Sequence, residues 1–331
     1  MMPTAASLTT SVTPPRAVEG GRVAIHGSGF PSDNLPAVTV GDAQARVVFA
    51  SPHRLVLLLP SDLEGGSTPI RIGDAPGELS VWVGARWASG LHQVDNPVFD
   101  NQGNLFVTYS GARGQEAPVS IFRVTRGGTR EAFASGIVNA TSMAFGPDGH
   151  LYVSSRFEGA VYRVRADGTR EQIANDLGVA CGIAFDDEGW MYVGDRSGTV
   201  FRVRDGNAMP FATLPASVAA FHLAMSPKRE LFVSAPTLGS YDHIYRINRK
   251  GEVRTTTTPL GRPQGLAFAP DGTLHVVDAL AGASGVYRFA RIEAPPELVV
   301  SGAALVGVAF GPGWEIVVAS NETAYRFAST N

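Results

Sequence analysis

Apolar residues along this chain come in short runs set between turn-forming residues. Val23-Ala24-Ile25, Ala37-Val38-Thr39-Val40 and Leu55-Val56-Leu57-Leu58-Leu59 are early examples, and 38 Gly and 22 Pro punctuate such runs throughout. No window of 12 residues carries a helical period. Short apolar runs between turn signals predict an all-β chain.

From about residue 95 onward the runs repeat. Each unit opens on an apolar segment ending in an aromatic residue or Met: Val98-Phe99, Ala144-Phe145, Ala184-Phe185, Ala224-Met225, Ala267-Phe268 and Ala309-Phe310. These anchors are spaced 46, 40, 40, 43 and 42 residues apart. A tight turn follows, as in Gly146-Pro147-Asp148-Gly149, where Asp-Gly suits the positive φ of a short hairpin. Next come a second strand such as Leu151-Tyr152-Val153 and an apolar-aromatic-Arg-apolar strand such as Val161-Tyr162-Arg163-Val164. The third strand carries its Arg in every unit, at Arg123, Arg163, Arg202, Arg246, Arg288 and Arg326. Repetition at one position assigns these Arg to scaffolding. A short fourth strand closes each unit.

Four antiparallel strands recurring six times predict a six-bladed β-propeller. The last unit ends at Tyr325-Arg326-Phe327 without room for a fourth strand, and Arg86-Trp87-Ala88-Ser89 precedes the first unit. The N-terminal strand is therefore expected to complete the sixth blade and close the ring, leaving no long sheet edge.

Residues 7–83 fall outside the repeat. The stretch Gly20-Gly21-Arg22-Val23-Ala24-Ile25-His26-Gly27-Ser28-Gly29-Phe30, continued by Val38-Thr39-Val40-Gly41, resembles the opening of an IPT/TIG domain. That resemblance implies a small immunoglobulin-like sandwich acting as a spacer or docking module, and through it a protein partner. The propeller then occupies 85–331. Val83-Gly84 leads straight into the closing strand, so little hinge motion is expected.

Composition narrows the classes. The chain has 331 residues and a formal net charge of −3. It lacks the basic footprint of a nucleic-acid binder and any apolar run long enough for a membrane span. Cys181 is the single cysteine, so an internal disulfide is excluded. Residues Met1 to Val12 lack the basic start and apolar run of a secretory leader. The default location is cytoplasmic, or extracellular if a leader has been removed.

The repeat units resemble NHL repeats and the gluconolactonase / senescence-marker-protein superfamily. The resemblance implies a divalent metal, often calcium, bound at one channel mouth by Glu, Asn and Asp. Each ligand lies four residues ahead of an inner-strand anchor. In this chain that ring reads Asp95, Thr141, Cys181, Phe221, Gln264 and Val306. Asp95 meets the family Glu, Cys181 the family Asn and Gln264 the family Asp. Asp95 and Gln264 are thus the candidate ligands for calcium or another divalent ion, and a thiol does not suit calcium.

Loops at the same end break the repeat and carry the remaining candidates. His222 is a possible general base or ligand, or a histidine bonded to a neighbouring loop. Asp195 is a second candidate proton acceptor. It shares its repeat position with Asp278, and both also suit a turn cap. Arg156 and Arg196 either clamp a ligand carboxylate or phosphate or pair with Glu158 and Asp195. Asn96, Tyr241 and Asp278, with Gln264, complete the expected ligand contacts. Cys181 has no His or Asn beside it and reads as a buried inert thiol. As channel-mouth residues, Asp95 and His222 are expected to tolerate replacement by Ala without loss of folding.

Two function classes remain open: a hydrolase of a lactone or small ester, and a non-catalytic module binding a small polar or anionic molecule or a partner protein.

Overall fold

A computed structural model describes residues 8–30, 35–73, 79–219 and 221–328. Among these, every regular element is a strand, and no helix is long and apolar enough to cross a membrane.

The N-terminal strands form a sandwich. One sheet joins Leu8–Thr13, Arg22–Ser28, Arg54–Leu58 and Arg46–Ser51. The other joins Arg16–Ala17, Leu79–Val83, Gly66–Ile72, Val38–Val40 and Ala43–Gln44. Alternate residues face inward, so Val23, Ile25, Leu55 and Leu57 of the first sheet pack with Val38, Val40, Ile70 and Val81 of the second.

Six four-stranded antiparallel blades follow, five as separate sheets and one continuous with the second sheet of the sandwich. Blade 2 is representative: Ala140–Phe145, Leu151–Ser155, Ala160–Val164 and Arg170–Ala174. The innermost strands of blades 1 to 6 are Val98–Phe99, Ala140–Phe145, Ala180–Phe185, His222–Met225, Pro263–Phe268 and Leu305–Phe310. Neighbouring inner strands touch one another in turn, and blade 6 touches blade 1. Ala85–Ser89 forms the fourth strand of blade 6, antiparallel to Thr323–Phe327 with Ala85 opposite Arg326.

The six repeated Arg hold each blade's flank. Arg123 pairs with Glu131 at 2.6 Å, Arg163 with Glu171 at 2.8 Å, Arg246 with Glu230 at 2.8 Å and Arg288 with Glu297 at 2.8 Å. Arg202 instead stacks over Trp190 at 3.8 Å, and Arg326 both stacks over Trp87 at 4.6 Å and pairs with Glu315 at 3.5 Å. Such half-exposed contacts contribute little individually.

The sandwich and the propeller share one sheet. Arg16–Ala17 pairs in parallel with Leu79–Val83 on one side and with Glu297–Ser301, the outer strand of blade 5, on the other. Val18 follows directly and is buried among Val277, Val300, Leu305 and Phe327 in the core between blades 5 and 6. Its amide donates to the Ser301 carbonyl, and the Arg22 amide donates to Ser301 Oγ at 2.7 Å. Glu19 accepts from Arg86 at 2.5 Å and from the Tyr325 hydroxyl. A side chain from the sandwich thus belongs to the propeller core. Val18→Ala is expected to cost about 2 kcal/mol through the cavity it leaves. It should shift one shared urea transition, not split it. A variant melting in two separate steps would contradict this coupling, as would a broad spread of interdomain distances in small-angle scattering.

Candidate functional site

The inner strands all begin at one end of the channel, and the loops after the second strands gather there too. A pocket of about 260 Å³ opens at this mouth. Its wall includes Cys181, Gln264 and Val306 of the ring identified from the repeat, with Val94, Val179 and Ala219 between them. Arg156 of blade 2 and Arg196 of blade 3 border it.

Asp95 and His222 meet across the ring, from blade 1 and blade 4. His222 Nδ1 lies 2.6 Å from Asp95 Oδ1, with His222 fully buried and Asp95 2% exposed. Asp95 Oδ1 also accepts the Asn96 amide at 2.6 Å. The carboxylate can only accept, so Nδ1–H donates. His222 Nε2 is buried and has no hydrogen-bond partner among the described residues. In the neutral ring that atom carries the lone pair of a base. The residues at the equivalent point on blades 5 and 6 are Gly265 and Gly307. A Cβ on Gly265 would collide with Asn96 Oδ1, so glycine is what admits the Asn96 side chain there.

The other sequence-derived candidates separate into two groups. Asp195 and Asp278 act as loop caps. Asp195 Oδ1 accepts the amides of Val179 at 2.8 Å and Ser197 at 3.1 Å, and the Ser197 hydroxyl bonds the same carboxylate. Asp278 accepts the amides of Gly261, Arg262 and Leu280. The Asn96 amide group donates to the Leu266 carbonyl and accepts from the Val308 amide, tying blade 1 to blades 5 and 6. Tyr241 stands in the blade 4 loop, 65% exposed.

The second group, Arg156 and Arg196, lines the pocket. Among the described residues no carboxylate lies within salt-bridge reach of Arg156, Arg196 or Arg113. Burial lowers the Arg156 pKa, and the charges of Arg196 and Arg113 lower it further. Burial, then Arg156, also lowers that of His92, which stands beside Tyr109 at the same end. Arg156 and Arg196 thus reach the pocket without a carboxylate in direct contact among the described residues. Arg113 and His92 carry no repeat signature, since each occurs in one blade only. The Cys181 thiol is pushed up to about 11 by burial and stays protonated near neutrality.

The ring does not fit a calcium ion. Its one carboxylate is engaged by His222 and the Asn96 amide, a thiol stands at the second position, and the other side-chain oxygens are neutral, those of Gln264 and of Thr141, whose hydroxyl donates to the Asn139 carbonyl. Among the described residues no three His, Cys, Asp or Glu side chains gather as a metal set.

Comparison with known proteins agrees with the architecture. Residues 7–86 match the IPT/TIG domain family. No curated protein matches the chain. An auxiliary nutrient binding protein from Bacteroides ovatus superposes with a TM-score of 0.57 at 14% identity, over 99% of both chains. A gluconolactonase-like propeller gives 0.59 at 18% identity, over 73% of this chain and 90% of its own. Virginiamycin B lyase from Staphylococcus aureus gives 0.52 at 14% identity, over 73% of this chain and 87% of its own. At these identities the likeness extends to the fold alone.

Proposed function

We propose that the channel mouth binds a small anionic molecule through Arg156 and Arg196. The observation that supports this most strongly is two guanidinium groups bordering one pocket with no carboxylate partner among the described residues. A ligand carboxylate or phosphate would supply the missing charge and accept forked hydrogen bonds. The pocket lies at the small end of the range for ligand sites.

Calorimetric titration with acetate, malonate and phosphate at low ionic strength tests this reading. Saturable binding is expected, weakened about tenfold or more by Arg156→Gln and again by Arg196→Gln. The reading fails if none of these anions binds saturably, or if binding is indifferent to both substitutions.

A second reading, hydrolysis of a lactone or small ester, draws on the unpartnered His222 Nε2. In it, Nε2 takes a proton from water as the water oxygen bonds the carbonyl carbon. The acyl C–O bond then breaks, and the departing oxygen recovers the proton. Asp95 holds the ring and steadies the imidazolium that forms. Binding ranks first because the arginines border the pocket, whereas His222 is fully buried one residue deeper along its strand. A pH-stat assay over aldonolactones and aromatic lactones, with His222→Gln as control, decides between turnover and binding alone.

A further inference from the structure

The cationic mouth has apolar surroundings. Within the pocket, Val94, Val179, Ala219 and Val306 lie between the polar groups. Outside it, the loops at this same end expose Phe157, Val218, Leu238, Tyr241 and Leu280, with Leu238 91% exposed. Phe157 is the neighbour of Arg156, and Val218 that of Ala219. The Val218 amide donates to the Pro236 carbonyl, which joins the loop entering blade 4 to the loop bearing Leu238 and Tyr241. Isolated surface apolar residues are ordinary, but several around one charged pocket mark a binding site.

We infer that the ligand is an amphiphilic anion: one carboxylate on an alkyl or aryl chain, its charge held by Arg156 and Arg196. Its chain lies along Val179 and Ala219 toward Val218, Leu238 and Tyr241. This rests on the anion-binding reading above. A polyhydroxylated acid would need hydrogen-bonding groups where the pocket has Val94, Val179, Ala219 and Val306. Of the three amide side chains in the wall, two are already committed, which leaves Gln264. Gln93 bridges the Asp95 carbonyl and the Thr108 amide, and Asn321 donates to the Gln93 carbonyl. A free amphiphile is preferred to a membrane surface because the arginines border a concave pocket and do not stand on a convex patch.

The test is a calorimetric series of acetate, butanoate, hexanoate and octanoate at fixed ionic strength, on the full chain. Affinity should rise by about threefold per methylene that enters the apolar region. Leu238→Ser and Tyr241→Ser, both at exposed positions, should flatten that rise, and Arg156→Gln should weaken octanoate. If acetate binds and octanoate binds no better, the amphiphile inference is overturned while the anion site stands. If no member binds, both fall together. Octanoate binding that ignores Arg156→Gln would also overturn the inference. So would attachment to phosphatidylglycerol vesicles that octanoate fails to compete away, which would mark the rim as a membrane contact.

Discussion

His222→Ala should lower the stability of this protein by about 3 kcal/mol, the cost expected when one partner of a buried, hydrogen-bonded pair is removed. The imidazole is fully buried and the Asp95 carboxylate nearly so, 2.6 Å apart. Without the ring, Asp95 Oδ1 keeps only the Asn96 amide while remaining out of water. For a chain of 331 residues unfolding as one unit, 3 kcal/mol corresponds to a fall in Tm of about 4 °C. Asp95→Ala should cost a similar amount by stranding the imidazole. The double variant should cost less than the two losses added, because neither group is then left alone. Thermal and urea melts of the three variants measure this. A loss under about 1 kcal/mol for His222→Ala would show that water takes over the imidazole's role. Placing these two residues at the mouth from sequence suggested tolerance to Ala; their burial reverses that expectation. His222→Gln is the milder probe of function, since its amide can still donate to Asp95.

The repeat made the propeller legible because every blade must solve the same packing problem. The anchors, the Arg-bearing strand and the displaced fourth strand at Ala85–Ser89 all follow from that one constraint. The sandwich was legible through its opening Gly-rich turn and alternating apolar residues. What pattern could not reveal is what depends on ring closure. Asp95 and His222 were each singled out, one as a metal ligand and one as a base. That they face each other follows only from blade 1 standing opposite blade 4. The pairing of Arg16–Ala17 with Val300 and Ser301 escapes reading for a related reason: two residues have no period, and their partner lies most of the chain away. Arg156 and Arg196 each had an acidic neighbour in sequence. Asp195 directs its carboxylate to its own loop and Glu158 faces Tyr162, so neither forms the ion pair that sequence adjacency suggests.

Stability should decline by about 2 to 3 kcal/mol between roughly pH 7.5 and pH 4.5, and His275 should account for most of that decline. His275 lies on the second strand of blade 5, edge-on to Phe310 of blade 6 with ring centroids 4.8 Å apart. Burial there depresses its pKa from 6.5 to about 4. The nearby charges of Arg288 and Arg16 push the same way, while the Thr273 carbonyl and Asp271 oppose them. Below about pH 6.5 the unfolded chain takes up a proton that the folded chain refuses. The contribution is therefore complete above that pH and is lost progressively as pH falls toward 4. Asp271 does not blur the window. Its hydrogen bonds from the Thr273 hydroxyl and amide lower its pKa, so its titration lies further into acid. His275→Phe keeps an edge-to-face ring against Phe310 and removes the proton site. Urea melts across the pH range should then show a flatter profile, with the variant gaining most on the native chain near pH 4.5. An unchanged slope would mean that His275 opens to water before the fold is lost and carries no linkage of its own.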